Sequence, residues 1–311
     1  MTNIVGIVGS CKHAKAVSKG CRQLNDTFHL VDFNNKAIIE SADCFVQTNM
    51  LKRKFLRRTE SIGTQAYQYI EKSGKPFLVV ESPAFREHLS YKRYGWWSYK
   101  WTEGNFNNEN SPSDRWNKFV KETNIRIKDW HSPGDNIVIM CQKPTDSSLN
   151  TLHSKGIEFN DWLVNTIKEI RKHSDRKIVV RMHPKNTGYN GQLKLLTKQY
   201  KDVVVSRNTT TNKSQGGLGL DLDLSSAYCV VTYNSLSAVE SVVRGIPTFA
   251  LEDGSMVWPI AHKKLKNIEN LNYNIDITQW CNDIAYCQWT GAEVKSGEMW
   301  SHLKPIMFPN A

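Results

Sequence analysis

Apolar positions along this chain fall into two rhythms. Short unbroken apolar runs read as buried strands, and between them stretches with an apolar residue every three or four positions read as helices. "NIVGIVG" (3–9) is such a strand, feeding through "GSCKHAK" into a helix that runs to about residue 24. "FHLVDF" (28–33) and "DCFVQ" (43–47) are further strands. "TESIGTQAYQYIEKSG" (59–74) has helical spacing and stops at a glycine, and "KPFLVVES" (75–82) is the next strand. The scheme restarts at the strand "NIVIMCQ" (136–142), the helix "IEFNDWLVNTIKEIRKH" (157–173) and the strand "RKIVVRMH" (176–183). It continues with the helix "GQLKLLTKQY" (191–200) and the strand "DVVVS" (202–206), then a Thr/Asn/Gly-rich loop. "AYCVVT" (227–232) and "IPTFAL" (246–251) are strands flanking the helix "SLSAVESVVRG". Strands separated by helices imply parallel βαβ sheets. Two such series predict an α/β chain of two Rossmann-like domains facing a cleft, with ligands at the carboxyl ends of the strands.

The alternation breaks once. "SYKRYGWWSYKWTEGNFNNENSPSDRW" (90–116) shows no clear period and reads as a long functional loop. A short helix near 115–125 and the turn "DWHSPGDN" (129–136) follow it. The predicted domains are therefore 1–131, with the aromatic insertion at 90–116, and 132–285. A tail, 286–311, is expected to cross back to the first domain.

Composition changes this picture in one respect. The 311 residues, 40% of them apolar, suffice for two cores, and neither a basic leader nor a membrane-spanning run is seen, so a cytoplasmic protein is expected. Seven cysteines, odd in number and never spaced as CxxC, read as reduced thiols without a structural zinc site. The net charge of +11 is uneven: residues 1–131 carry 21 Lys and Arg against 13 Asp and Glu, or +8, leaving 20 against 17, or +3, for the rest. A basic first half points to a polyanionic partner, whether nucleic acid, an acidic glycan or a membrane surface.

Three loops leave the carboxyl ends of predicted strands in the second half carrying polar residues. They are "CQKPTDSSL" (141–149), "RMHPK" (181–185) and the turn inside "TYNSLSAVESVVRGIPTFAL" (232–251). Together they place Gln142, Asp146, Ser147, Arg181, His183, Lys185, Ser235, Ser237 and Glu240 on one rim. A helix start offers unpaired N–H groups and partial positive charge, so Ser235 and Ser237 stand where a phosphate is well received. His183 and Lys185 supply complementary donors for a pyrophosphate, and Glu240 an acceptor for ribose hydroxyls. A bland alternative stays open: Ser237-Ala-Val-Glu240 also fits a capping box that satisfies the helix end and does nothing more.

"RMHPK" followed by "TYNSLSAVESVVRGIPTFAL" resembles the donor domain of GT-B glycosyltransferases with an "HP" motif and a downstream Ser motif. That group includes bacterial sialyl- and polysialyltransferases, capsule and lipopolysaccharide transferases, and CDP-glycerol polymer transferases. The resemblance covers about residues 136–251 and implies a nucleotide-sugar site in which His183 and Ser235 contact the donor phosphates. One departure is Asn234, which precedes Ser235 where the sialyl group often has two adjacent serines. The resemblance further implies that no metal or other cofactor is required.

The first domain would then receive the acceptor. "KRYGWWSYKWTEGNF" interleaves Lys92, Arg93 and Lys100 with Trp96, Trp97, Trp101 and two tyrosines, and "LKRKFLRR" places Lys52, Arg53, Lys54, Arg57 and Arg58 within eight residues. Aromatic faces stack bases or sugars while cations meet phosphates, so both segments suit nucleic acid. A hydrophobic mini-core and a solvated helix face are the bland readings of the same two segments. The aromatic segment also resembles bacteriophage enzymes that glycosylate 5-hydroxymethylcytosine in their own DNA, which makes such DNA the expected acceptor. The competing expectations are a lipopolysaccharide or capsule glycan transferase, and a nucleic-acid-binding protein without catalysis. Deprotonation of an acceptor hydroxyl calls for a carboxylate or histidine. Glu81, at the end of a strand, is the first candidate and His13 the second, ahead of Glu103 and Asp114.

Overall fold

The apolar runs become the strands of two sheets, and the chain divides into two compact units. In the computed structural model the described residues are 1–7, 13–48, 62–81, 83–85, 91–96, 108–183, 195, 197–207 and 216–309. One unit comprises Met1–Trp101, Asn105–Thr123 and Cys281–Ala311, the other Thr102–Gly104 and Asn124–Trp280.

The first unit opens with β1 (Asn3–Ile7), α1 (Ala14–Arg22), β2 (Thr27–Val31), α2 (Lys36–Glu40), β3 (Cys44–Thr48), α3 (Ile62–Ser73) and β4 (Phe77–Glu81). β1 pairs in parallel with β2 and β3, and β3 with β4. The expected loop at 90–116 is corrected in part: β5 (Tyr91–Trp96) is a strand, antiparallel to β4, followed later by α4 (Asp114–Thr123).

In the second unit β6 (Asn136–Met140) leads through a 3-10 turn (Ser147–Leu149) into α5 (Asn150–Ser154) and α6 (Phe159–Arg171). β7 (Ile178–Arg181) and β8 (Val203–Val205) follow, and of the helix expected at 191–200, residues 195 and 197–199 are helical among those described. The Gly-rich stretch expected as loop contains α7 (Gly216–Leu224), a second correction. β9 (Ala227–Thr232), α8 (Ser237–Val243) and β10 (Thr248–Ala250) complete a parallel sheet ordered β10-β9-β6-β7-β8. Period-2 alternation divides its strands between two faces. Ile137, Ile139, Ile178, Val180 and Val231 pack beneath Phe159, Leu163, Ile167 and Ile170 of α6. Val138, Met140, Val179 and Val230 face Leu220 and Leu224 of α7.

α9 (Thr278–Ala285) precedes the last elements of the first unit: β11 (Gln288–Thr290), α10 (Gly291–Ser296) and α11 (Glu298–Met307). β11 pairs antiparallel with β5, so that sheet runs β11-β5-β4-β3-β1-β2. Thr290 and Glu293 form a capping box on α10: Thr290 Oγ1 accepts from Glu293 N at 3.2 Å and Glu293 Oε2 accepts from Thr290 N at 2.7 Å. α1 lies so close to α10 that a Cβ at Gly20 would stand 2.0 Å from the Val294 carbonyl oxygen, so glycine is required there.

Candidate functional site

All strands of the second sheet are parallel, so β6, β7, β9 and β10 end on one rim. Beyond those ends come Gln142, His183, Asn234–Ser235 and Glu252. The centre of this rim is an amide that the sequence reading registered only as a departure. Asn234, buried, donates from Nδ2 to Glu252 Oε2 at 2.7 Å and to the Ser148 carbonyl at 2.8 Å. Its Oδ1 accepts from Gln142 Nε2 at 2.6 Å, and its backbone N–H reaches Gln142 Oε1 at 3.3 Å. The second Gln142 amide hydrogen goes to Ser148 Oγ at 2.6 Å, and Ser148 Oγ donates to Asp146 Oδ1 at 2.9 Å. The loops after β6, β9 and β10 are thus fastened together through side chains.

This changes what Gln142 and Asp146 can do. Both amide hydrogens of Gln142 are engaged inside the protein, so it shapes the rim instead of offering a donor to a ligand. Asp146 likewise receives both the hydroxyl and the backbone N–H of Ser148. Ser147 opens the 3-10 turn that follows Asp146.

The serine turn is held by short local bonds. Ser235 N donates to Thr232 Oγ1 at 3.2 Å, and Ser235 Oγ accepts from Ser237 N at 3.3 Å, with the two serine hydroxyls 2.8 Å apart. Both serines are half-buried. The capping box expected of Ser237 and Glu240 does not form. Glu240 turns away to Arg244 at 3.0 Å, and Arg244 also holds Asp221 of α7 at 2.8 Å. Glu240 is therefore bound within the α7–α8 surface and not aimed at the rim. His183 is half-buried two residues past the end of β7, on the rim itself.

Arg181 also departs from its expected role. It is buried, ion-paired with Asp223 of α7, and donates to the Gly219 carbonyl at 2.9 Å. Ser206 Oγ completes the cluster at 2.8 and 2.7 Å from the Asp223 oxygens. A guanidinium so enclosed fastens α7 to β7. Lys185 lies outside the described residues.

Glu252 is the residue that sequence reasoning missed. It directly follows the apolar strand run "IPTFAL", an acid where the apolar pattern stops, and that is the signal that marks it. Burial, the largest influence, pushes its carboxyl up to about 7, Asp253 adds to the rise, and bonds from Asn234 and the Gly254 N–H (3.1 Å) oppose it.

In the first unit Glu81 is the last residue of β4, paired across to Arg93. Lys92, Arg93 and Trp96 are backbone members of β5. His13 precedes α1, where its carbonyl accepts from Ala16 N and Val17 N at 3.0 and 3.2 Å. Asp114 accepts from the Tyr286 hydroxyl at 2.8 Å. Lys52, Arg53, Lys54, Arg57, Arg58, Trp97, Trp101 and Glu103 lie outside the described residues. Among the described residues no group of three or more His, Cys, Asp or Glu gathers as metal ligands, and no helix is long and apolar enough to cross a membrane.

No protein-family model and no curated protein matches the chain. Among solved structures it is similar to a KpsC β-Kdo 2,7 transferase of Thermosulfurimonas dismutans, with 11% identity and a TM-score of 0.54 over 97% of this chain and 99% of that one. A KpsC β-Kdo 2,4 transferase of the same organism aligns at 14% identity and a TM-score of 0.49 over 97% of both chains. At such identity the likeness shows the fold, which is α/β of the GT-B type.

Proposed function

We propose that this protein is a glycosyltransferase that moves a sugar from a nucleotide donor to a hydroxyl of a surface-type glycan. The observation that carries the proposal is the GT-B fold along nearly the whole chain, joined to a parallel-sheet rim built from His183, Asn234, Ser235 and Glu252. The solved neighbour is by name a Kdo transferase, which supports a glycan acceptor over DNA. In this reading the acceptor oxygen bonds to the anomeric carbon while the bond from that carbon to the nucleotide phosphate oxygen breaks. His183 and the Ser235 and Ser237 hydroxyls take up the charge gathering on the departing phosphate. Glu81 receives the acceptor proton, with His13 the second choice. In this reading no metal takes part. The finer expectation of 5-hydroxymethylcytosine DNA rests on the basic run at 51–58 and the aromatic segment, most of which lies outside the described residues, so it becomes the competing arm.

The test presents both acceptors. Purified protein is incubated with a panel of UDP-, CMP- and GDP-sugars, including activated Kdo, and either a capsule-type oligosaccharide or hydroxymethylated DNA. A sugar mass added to the oligosaccharide alone supports the proposal. Addition to the modified base alone replaces glycan by DNA. Tight nucleic-acid binding with no nucleotide binding leaves a non-catalytic protein.

A further inference from the structure

β8 is an edge of the second sheet, and beside it runs a groove of about 780 Å³ that the donor rim does not use. Its apolar lining is half-buried Val204 beside buried Val179 on the α7 face, with half-buried Val205 and buried Val203 on the other face of the edge strand, walled by Leu222 of α7, which is 55% exposed. Lys177, Lys201 and Arg207 line it, all three exposed and in no ion pair among the described residues. The acid in the lining, Asp223, is buried and already matched by Arg181 and Ser206. The groove therefore carries three uncompensated positive charges over an apolar floor.

Two of these charges share one end of the groove and the third stands at the other. Lys177 and Lys201 stand before the amino ends of β7 and β8, and Arg207 beyond the carboxyl end of β8. Between them β8 itself, three residues long, spans about 10 Å. Arg207 and His183 both lie past the carboxyl ends of parallel neighbouring strands. Asn136, Thr197 and Ser226 add polar groups along its length.

We infer that this groove binds an extended carboxylate-bearing glycan strand, with Lys177, Lys201 and Arg207 meeting its carboxylates and the valine strip its C–H faces. The inference rests on the proposal that the acceptor or product is a glycan. Charge complementarity selects an anionic occupant. Cations beside an apolar strip suit an acidic sugar chain, which presents carboxylates and C–H faces in alternation.

The test uses hexagalacturonate as the acidic probe and maltohexaose as the neutral one, measured by calorimetry on the full chain. Wild type is expected to bind hexagalacturonate at least about tenfold more tightly than maltohexaose. Affinity should weaken as salt rises from about 50 to about 300 mM. The Lys177→Glu/Lys201→Glu/Arg207→Glu variant should lose at least about tenfold, with unchanged melting temperature and unchanged transfer to a short acceptor. Equal affinity in that variant overturns the inference. So does binding of hexaglutamate or of phosphatidylglycerol vesicles that matches hexagalacturonate and is lost in the same variant, since the groove then serves an acidic peptide or a lipid surface. Groove binding that passes every arm while wild type transfers no sugar leaves the groove standing and removes the transferase reading.

Discussion

Asn234 Nδ2 lies 2.7 Å from Glu252 Oε2, a carboxamide and a carboxyl group, both buried, joined across the ends of adjacent strands. Through Asn234 the loops after β6, β9 and β10 share one hydrogen-bond network. Asn234→Ala leaves a Gln142 amide hydrogen, the Ser148 carbonyl and the Glu252 carboxylate without that partner. The expected cost is about 3 kcal/mol in urea unfolding, together with weaker nucleotide-sugar binding. A change within a few tenths of a kcal/mol would show the network to be incidental.

Glu252 should make stability depend on pH in an unusual direction. Its carboxyl is raised from 4.5 to about 7 in the folded chain, burial being the main cause. The folded state therefore holds this proton more tightly. The stabilising contribution is complete below the unfolded value of 4.5 and is lost as pH rises through about 7. Between about pH 5 and pH 8, wild type should lose about 2 kcal/mol more than Glu252→Gln in urea unfolding. Parallel pH profiles for the two proteins would contradict this.

Glu293 should behave in the opposite way. Burial alone would raise its carboxyl, but hydrogen bonds from Arg115 (3.1 Å), Lys118 (2.7 Å) and the Thr290 N–H hold it at about 2. A depressed carboxylate stabilises above the unfolded value of 4.5 and loses that contribution as pH falls toward about 2. From about pH 5 to pH 3, wild type should lose about 2 kcal/mol more than Glu293→Gln. Circular dichroism during urea titration at both pH values measures it.

The buried Arg181–Asp223 pair separates a structural role from a ligand-binding one. Asp223→Ala strands a buried guanidinium and should cost about 3–5 kcal/mol. Arg181→Met/Asp223→Leu, which removes both charges, should cost much less and leave nucleotide-sugar affinity near wild type. If the double variant folds well and binds no nucleotide, Arg181 belongs to the donor site after all.

Much of the second unit was legible because its strands are local, wholly apolar runs bounded by turns: β6, β7, β9 and β10 stand where period alone puts them. α7 was not legible. "GGLGLDLDL" carries three glycines and alternates Leu with Asp, so it lacks a helical apolar stripe, and its helix is fixed by Asp223 reaching Arg181 and Asp221 reaching Arg244. β5 was hidden for another reason: one of its partners, β11, lies nearly two hundred residues away, and no local pattern announces such a pairing. On the rim, residue types were readable but their partners were not. Gln142 looked like a ligand donor until its two amide hydrogens were found on Ser148 and Asn234. Glu240 fitted a capping box by spacing, yet Arg244 one turn on offers a full charge and wins it.

Sugar transfer with the donor site disabled tests the central claim most directly. The protein, wild type or His183→Ala, is incubated with the nucleotide-sugar panel and a capsule-type oligosaccharide, and the oligosaccharide is weighed by mass spectrometry. The account predicts one donor whose sugar mass appears on the oligosaccharide with wild type, with product reduced at least about a hundredfold by His183→Ala. No added mass with any donor, or equal product from His183→Ala, would contradict it.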